Sequence, residues 1–392
     1  MLHRTKNGGS TMRRISIAVT AAAALMAGLG TPAAAEGLRK IEKTFANGGT
    51  LRFYGQINKG VLTYDDGQET ESYGLIDNAN SSTRVGLTYG IDVGGWSYLG
   101  TLEIQYAPFS TNNTSILQPS PPSSAYDFTN ANIRKIDNQI THDRFGTFYL
   151  GQGSMASNDT AEVDFSGTTV IAYSEVQDTA SGQLLRKSDG TLSDITIDDA
   201  FNNYDGLSRK VRVRYDTPLW SGFGLRASYG RDLLSDNPDV RDQDLFDVAA
   251  TYAADINDFK VGAQAAYSWK GSDITIADGS ASVLHVPSGL SLTVATGQQD
   301  SGSLTGSYGY VKLGWQYDLI AWGKTAFAVD YYSGSDMVTG GSESESTGIS
   351  VVQYVTDWNT EIYATWRDYD YSEPETSFQS SNAVFVGARF KF

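Results

Sequence analysis

The sequence predicts an all-β fold, a 16-stranded antiparallel β-barrel that crosses a membrane. Three observations carry the prediction. Stretches of about ten residues alternate apolar and polar side chains, the connections between them alternate short and long, and aromatic residues stand beside the short ones. The chain has 392 residues, 41 Gly, 23 Tyr and no Cys. A length that would ordinarily suggest two or three domains is compatible with one long all-β unit.

Alternation is clearest in Val211-Arg212-Val213-Arg214-Tyr215. Phe259, Val261, Ala263, Ala265, Tyr267 and Trp269 share a face opposite Lys260, Gln264, Ser268 and Lys270. Val311, Leu313, Trp315 and Tyr317 alternate with Lys312, Gly314, Gln316 and Asp318. Period two marks strands with one wet and one apolar face. A soluble β-sandwich alternates in the same way, so this pattern alone does not choose between the two.

The connections choose. Strands are expected near 51–64, 81–91, 96–106, 131–141, 146–153, 208–216, 223–231, 243–254, 259–269, 280–286, 289–297, 307–318, 324–333, 345–355, 359–370 and 382–392. Seven short turns fall at 92–95, 142–145, 217–222, 255–258, 287–289, 319–323 and 356–359. Long polar stretches fall between them at 65–80, 107–130, 154–207, 232–242, 271–279, 298–306, 334–344 and 371–381. Short periplasmic turns and long extracellular loops are the recurring asymmetry of outer-membrane barrels, and a closed barrel is the only way strands cross hydrocarbon. Trp96, Phe145, Trp220, Phe259, Trp322 and Trp358 sit beside the short turns, where an interfacial aromatic girdle belongs.

The N-terminus reads as an export signal. Met12-Arg13-Arg14 is a basic start, 15–29 is a short apolar run, and Ala33-Ala34-Ala35 supplies small residues for cleavage before Glu36. About 15 apolar residues are too few to span a bilayer core of roughly 30 Å. Residues 1–35 are thus expected to be removed, leaving 36–392 as a single barrel domain, with translation starting at Met1 or Met12. Removal takes away Arg4, Lys6, Arg13 and Arg14 but no acid, so the formal charge moves from −16 to −20.

Several function classes fall away. Without cysteine there is no disulfide framework, thiolate metal site or Cys nucleophile. Of His3, His142 and His285, the last two survive processing and both lie at or near short turns, so no Ser-His-Asp arrangement is indicated. An acidic chain does not suit a nucleic-acid backbone. No internal repeat of fixed period points to a solenoid or adhesin.

The last strand, Asn382 to Phe392, places Val384, Val386, Ala388, Phe390 and Phe392 on one face and ends the chain in Phe. It resembles the C-terminal strand of Gram-negative outer-membrane general porins. Leu51-Arg52-Phe53-Tyr54-Gly55-Gln56 is similar to their first strand and Ser82-Thr83-Arg84-Val85-Gly86-Leu87 to their second. Phe145-Gly146-Thr147-Phe148-Tyr149-Leu150-Gly151-Gln152 looks like the stretch entering the constriction loop, and Val213-Arg214-Tyr215-Asp216-Thr217-Pro218 like the strand after it. Departures are Gln152, where many porins carry Arg, and the lack of a recognisable acidic signature in 154–207.

The resemblance implies a homotrimer of barrels in the outer membrane, among phospholipid and lipopolysaccharide, each barrel passing small hydrophilic solutes and ions. Phe390 and Phe392 would form the signal read by the barrel-assembly machinery. The third long loop, 154–207, would fold inward as the constriction. It holds ten acids against Arg186 and Lys187. Glu162, Asp164 and Glu175 are the expected pore-lining acids; the alternative for an acidic loop of this length is a solvated surface segment. The opposing wall would be basic: Arg52, Arg84, Lys210, Arg212 and Arg214 lie on polar strand faces, with one of Arg134 and Lys135. A charge on the lipid face at mid-membrane costs about 2–4 kcal/mol, which directs these residues to the lumen. No cofactor is required, though acidic loops could hold Ca²⁺ or Mg²⁺ through oxygen ligands. The expected function is passive diffusion with weak cation selectivity. The alternatives are a substrate-specific sugar or organic-acid channel and, further off, a secreted soluble β-protein.

Overall fold

The computed structural model describes residues 41–392, so the expected export segment and its cleavage site lie outside the described residues. The strands of the first half are β1 (Ile41–Thr44), β2 (Thr50–Asp65), β3 (Thr70–Asp77), β4 (Arg84–Val93), β5 (Trp96–Gln105), β6 (Ile133–His142), β7 (Gly146–Ser154), β8 (Leu184–Arg186), β9 (Leu192–Thr196) and β10 (Arg209–Asp216). The second half supplies β11 (Phe223–Arg231), β12 (Leu245–Ile256), β13 (Phe259–Lys270), β14 (Ile274–His285), β15 (Leu290–Asp300), β16 (Thr305–Ile320), β17 (Gly323–Ser335), β18 (Glu343–Val355), β19 (Thr360–Ser372) and β20 (Ser381–Lys391). All but β8 and β9 belong to one antiparallel sheet that closes on itself.

Eighteen strands make sixteen staves, because two staves are composite. On one side of β2, β4 pairs with Thr50–Gln56 and β3 with Lys59–Asp65, separated by a short 3₁₀ turn at Ala79–Ser81. On the other side, β20 pairs with Gln56–Asp65 and β1 with Thr50–Phe53. Phe392 continues β20 by exchanging both backbone hydrogen bonds with Gly55, each 3.0 Å. The two ends of the described chain therefore meet along β2 and close the barrel.

Seven short turns lie at the end where the described residues begin and finish, as the sequence predicts. Trp96, Phe145, Trp220 and Phe259 are exposed beside them. Trp96, His142 and Phe145 pack together, with ring centroids 4.7 Å apart from the histidine to each of the other two. Trp322 and Trp358 depart from the expected girdle in being half-buried.

Three long connections also depart from expectation. The stretch 65–80 contains β3, 271–279 shrinks to the turn 271–273, and 298–306 shrinks to 301–304. Their polar composition reflects a wet lumen rather than a loop. Asp278 accepts a hydrogen bond from the Thr160 hydroxyl, and Ser280 donates to the Thr160 carbonyl, both inside the barrel.

The barrel has an inverted interior. Val213, Leu225, Leu313 and Val329 are exposed toward lipid, whereas Asp247, Lys312, Asp330 and Arg367 are buried. Glycine lets charges meet across this inner face. Asp330, Gly348 and Arg367 stand in one row across β17, β18 and β19. Arg367 Nη2 reaches Asp330 Oδ1 at 2.6 Å over the glycine, whose Cβ would meet Asp330 Oδ2 at 2.7 Å. Asp137 and Arg212, on β6 and β10, likewise meet across β7 through two hydrogen bonds of 2.8 Å, and a Cβ on Gly153 of β7 would meet Arg212 Nη2 and Asp137 Oδ2 at 2.7 Å each.

Breaking such a pair leaves a buried charge without its partner. Asp330→Ala is expected to lower barrel stability by about 3–5 kcal/mol, seen as a lower temperature for loss of the folded band in gels. An unchanged transition would show that Arg367 does not depend on this carboxylate.

Candidate functional site

The 155–208 connection lies inside the barrel. Met155, Val170, Ile171, Val176, Leu185, Ile197 and Phe201 form a buried apolar cluster with Tyr64, Tyr73, Tyr308, Tyr310, Tyr332, Tyr369 and Phe385 from the strands. Barrel side chains satisfy the backbone of this loop around the lumen. Asn78 Nδ2 donates to Val170 O at 2.8 Å, and the Tyr332, Tyr354 and Tyr369 hydroxyls donate to Asn202 O, Gly167 O and Val176 O. The Ser280 and Ser282 hydroxyls accept from the Val163 and Phe165 amides. An irregular backbone inside a membrane protein survives only where such partners or lumen water are available.

Opposite this anchored side, a cavity of about 620 Å³ separates the loop from the wall built by β4, β6, β10 and β13. Arg84, Arg134, Lys135, Arg209, Lys210 and Lys270 line the wall, while Asp159, Glu162, Glu175 and Asp205 line the loop. Charges of opposite sign thus face each other across open space.

Each side has its own support. Glu103, buried on β5, accepts from Arg134 Nε and from the Tyr54 hydroxyl, both at 2.7 Å, and Gln105 accepts from Arg134 Nη1 at 2.8 Å. Arg84 stays 4.0 Å from Glu103. Lys210 pairs with Asp232 at 2.5 Å. On the loop, Asp205 accepts from the Asp159 and Ala161 amides at 2.8 and 2.9 Å. Asp159 adopts a left-handed backbone with φ of 69°. The Tyr173 hydroxyl lies 2.5 Å from Glu175 and 3.1 Å from Asp178. Burial, followed by repulsion from Asp205, Glu175 and Asp159, raises the Glu162 carboxyl well above its ordinary range. Burial and then Asp159 and Asp278 do the same for Asp205. One carboxylate oxygen from each of Asp159, Glu162 and Asp205 lies within 4.8 Å of the others, the kind of oxygen set a hard cation could use.

The expected site residues divide. Glu162, Glu175, Arg84 and Lys210 border the cavity. Arg134 and Lys135 both border it, rather than one of them, because the β5–β6 register slips at Glu103–Ile104 and a bulge disturbs the alternation there. Asp164 does not border it: its carboxylate is 2.8 Å from Lys312 Nζ, which also donates to Ala172 O at 2.6 Å. Arg212 is tied to Asp137, Ser154 O and Gly151 O, and Arg214 to Asp216 and Met155 O. Arg52 lies exposed near the short-turn end, beside Thr88 and Glu42 in register. Phe392 packs against Phe53 and Phe390, with ring centroids at 5.6 and 6.0 Å.

Arg209, Lys270, Asp159 and Asp205 escaped prediction as lining residues. Asp159 and Asp205 were visible only as two of ten loop acids. Arg209 has the wrong parity for the lumen by simple alternation, but it sits at the strand's first position, where that rule lapses.

Comparison with known proteins agrees with this architecture. No curated protein matches the sequence. A family model described as Gram-negative porin matches residues 18–374. Solved structures with the same fold include the anion-selective porin of Comamonas acidovorans, 14% identical, covering 88% of this chain and 100% of that one with a TM-score of 0.60. Salmonella typhi OmpF is 12% identical, with 90% and 100% coverage and a TM-score of 0.57. Pseudomonas putida OprB is 9% identical, with 87% and 94% coverage and a TM-score of 0.57. With its closed 16-stave barrel and a family match over most of its length, the chain belongs to the Gram-negative porins, channels of the outer membrane.

Proposed function

We propose that this channel passes small hydrophilic solutes and ions by passive diffusion, and that it works as a homotrimer. The observation that supports the reading best is the charged cavity between loop 155–208 and the basic wall. Its aromatic lining is confined to Tyr173 and Tyr204 among the described residues, too little for the stacking track a sugar-specific channel would use. Phospholipid, lipopolysaccharide and the barrel-assembly machinery would be its partners in the membrane, and Ca²⁺ or Mg²⁺ could bridge its acidic outer loops.

Ion preference is a close balance. Six bases and five acids, Asp232 included, line the cavity. The negative charge of the chain as a whole favours cations at the mouths. That outer contribution is screened over about 10 Å in 0.1 M salt, whereas charges in the narrow part act at close range. Weak cation selectivity is therefore expected near pH 8 at low ionic strength, fading as salt rises.

Acidification should reverse it. Carboxyls with raised pKa take up protons first as pH falls, so the loop loses negative charge while the guanidinium groups keep theirs. Reversal potentials across a KCl gradient in planar bilayers should move toward anion preference between pH 8 and pH 5. The Glu162→Gln, Glu175→Gln double variant should already be shifted that way at pH 8. Anion selectivity of the unaltered protein at pH 8 would mean that the wall dominates throughout.

Two further outcomes test assembly. Unboiled protein should migrate as a compact oligomer in SDS gels and collapse to monomer on boiling; identical migration would argue against a stable trimer. Phe392→Ala removes the ring that packs on Phe53 while keeping the backbone pair with Gly55. It should reduce outer-membrane insertion severalfold without affecting export, and normal insertion would remove Phe392 from the assembly signal.

A further inference from the structure

A thioether at the long-loop end of the barrel touches the inward loop from behind. Residues 1–35 carry Met1, Met12 and Met26, so a chain trimmed there keeps only Met155 and Met337. Met155 is fully buried. Met337 is half-buried in the connection between β17 and β18, at the end opposite the short turns. Oxidants reach a side chain that solvent touches before one that it does not, which directs oxidation to Met337.

Met337 Sδ accepts a hydrogen bond from the Tyr204 hydroxyl at 3.4 Å. Tyr332 Oη lies 3.9 Å from the same sulfur, but its single proton goes to Asn202 O at 2.7 Å. Gly306 on β16 makes the Tyr204 contact possible, since a Cβ there would collide with Tyr204 Oη. The contact holds a residue that needs holding. Tyr204 has a left-handed backbone, with φ of 49°, which is costly for a bulky side chain and persists only where its surroundings fix it. Asp205 follows directly, so the limb 202–206 connects Met337 to the acidic edge of the cavity. A thioether is a weak acceptor, and it is the one acceptor this hydroxyl has among the described residues.

We propose that Met337 is an oxidation site for peroxides and that its sulfoxide tightens the hold on limb 202–206. The sulfur lone pair attacks one oxygen of the peroxide and the O–O bond breaks. The proton of the transferred hydroxyl passes to the departing hydroxide, which leaves as water. Sulfur gives up an electron pair and the peroxide takes it. The product carries a polar S–O group where the thioether offered only a weak acceptor. Tyr204 thereby gains a firmer anchor, and the limb that carries Asp205 opens less often. The site depends on the barrel and its inward loop, not on which solutes the channel passes.

Hydrogen peroxide at limiting concentration, applied to the purified, unaltered protein, tests this, with peptide mass spectrometry and amide hydrogen exchange as readouts. Met337 is expected to gain oxygen roughly tenfold faster than Met155. Exchange of the amides in 202–207 should then slow about fivefold, the effect of one added net hydrogen bond. Tyr204→Phe removes the donor, so peroxide should still oxidise Met337 in that variant while exchange of the limb stays as it was. In Met337→Leu the limb should not respond to peroxide at all. Both variants are compared as samples that retain the oligomeric band. Oxidation of Met155 as fast as Met337 would overturn the proposal, as would exchange that is unchanged or faster once Met337 is oxidised. A slowing of equal size in Tyr204→Phe would also overturn it, by placing the effect on another contact.

Discussion

The structure depends on one constraint: inside hydrocarbon, every backbone donor and acceptor must find its partner within the protein. A sheet meets it only by closing, and here closure falls on β2. That strand holds four neighbours, two on each edge, because neither β1 nor β20 is long enough to cover its side alone. The hydrogen bonds between Phe392 and Gly55 fill the step between them. The terminal residue is thereby part of the sheet, and its ring lies against the first long strand.

Closure also sets the chemistry of the interior. Lipid removes the reward for apolar residues inside, and a 16-strand circumference is too wide for side chains to fill. Loop 155–208 fills one part with an apolar cluster of its own and leaves the rest to water. Charges on the inner wall can then pair only with one another or with the loop. Interior glycines make many of those pairings possible. A side chain on the middle strand would stand between Asp330 and Arg367, and the same holds where Tyr54 reaches Glu103 across Gly86.

Much of this was legible in the sequence because the physics behind it is periodic. Alternation placed the strands, and turn chemistry placed the seven short connections. What alternation could not convey was where a polar stretch stops being a loop, since Asp278 and Ser280 are polar for the sake of the lumen. The bulge at Arg134 also escaped it, because a single slipped residue leaves no mark on composition. Nor could one sequence say which of ten loop acids face water. Asp164 and Glu162 are two residues apart, yet one is bound to Lys312 and the other borders the cavity.

The difference between those two acids shows how the loop divides its work. Lys312 is buried on β16, and an ammonium there requires oxygen partners. Asp164 and the Ala172 carbonyl supply them, and in doing so pin the loop to the far wall. Once the loop is pinned there, its other edge is held away from the wall that carries Arg84, Arg134 and Arg209. The carboxylates on that edge cannot collapse onto the arginines, because the loop they ride on is fixed from behind. An acid paired deep in the lumen thus keeps the acids at the cavity apart from their natural partners, and the opening between them is what remains.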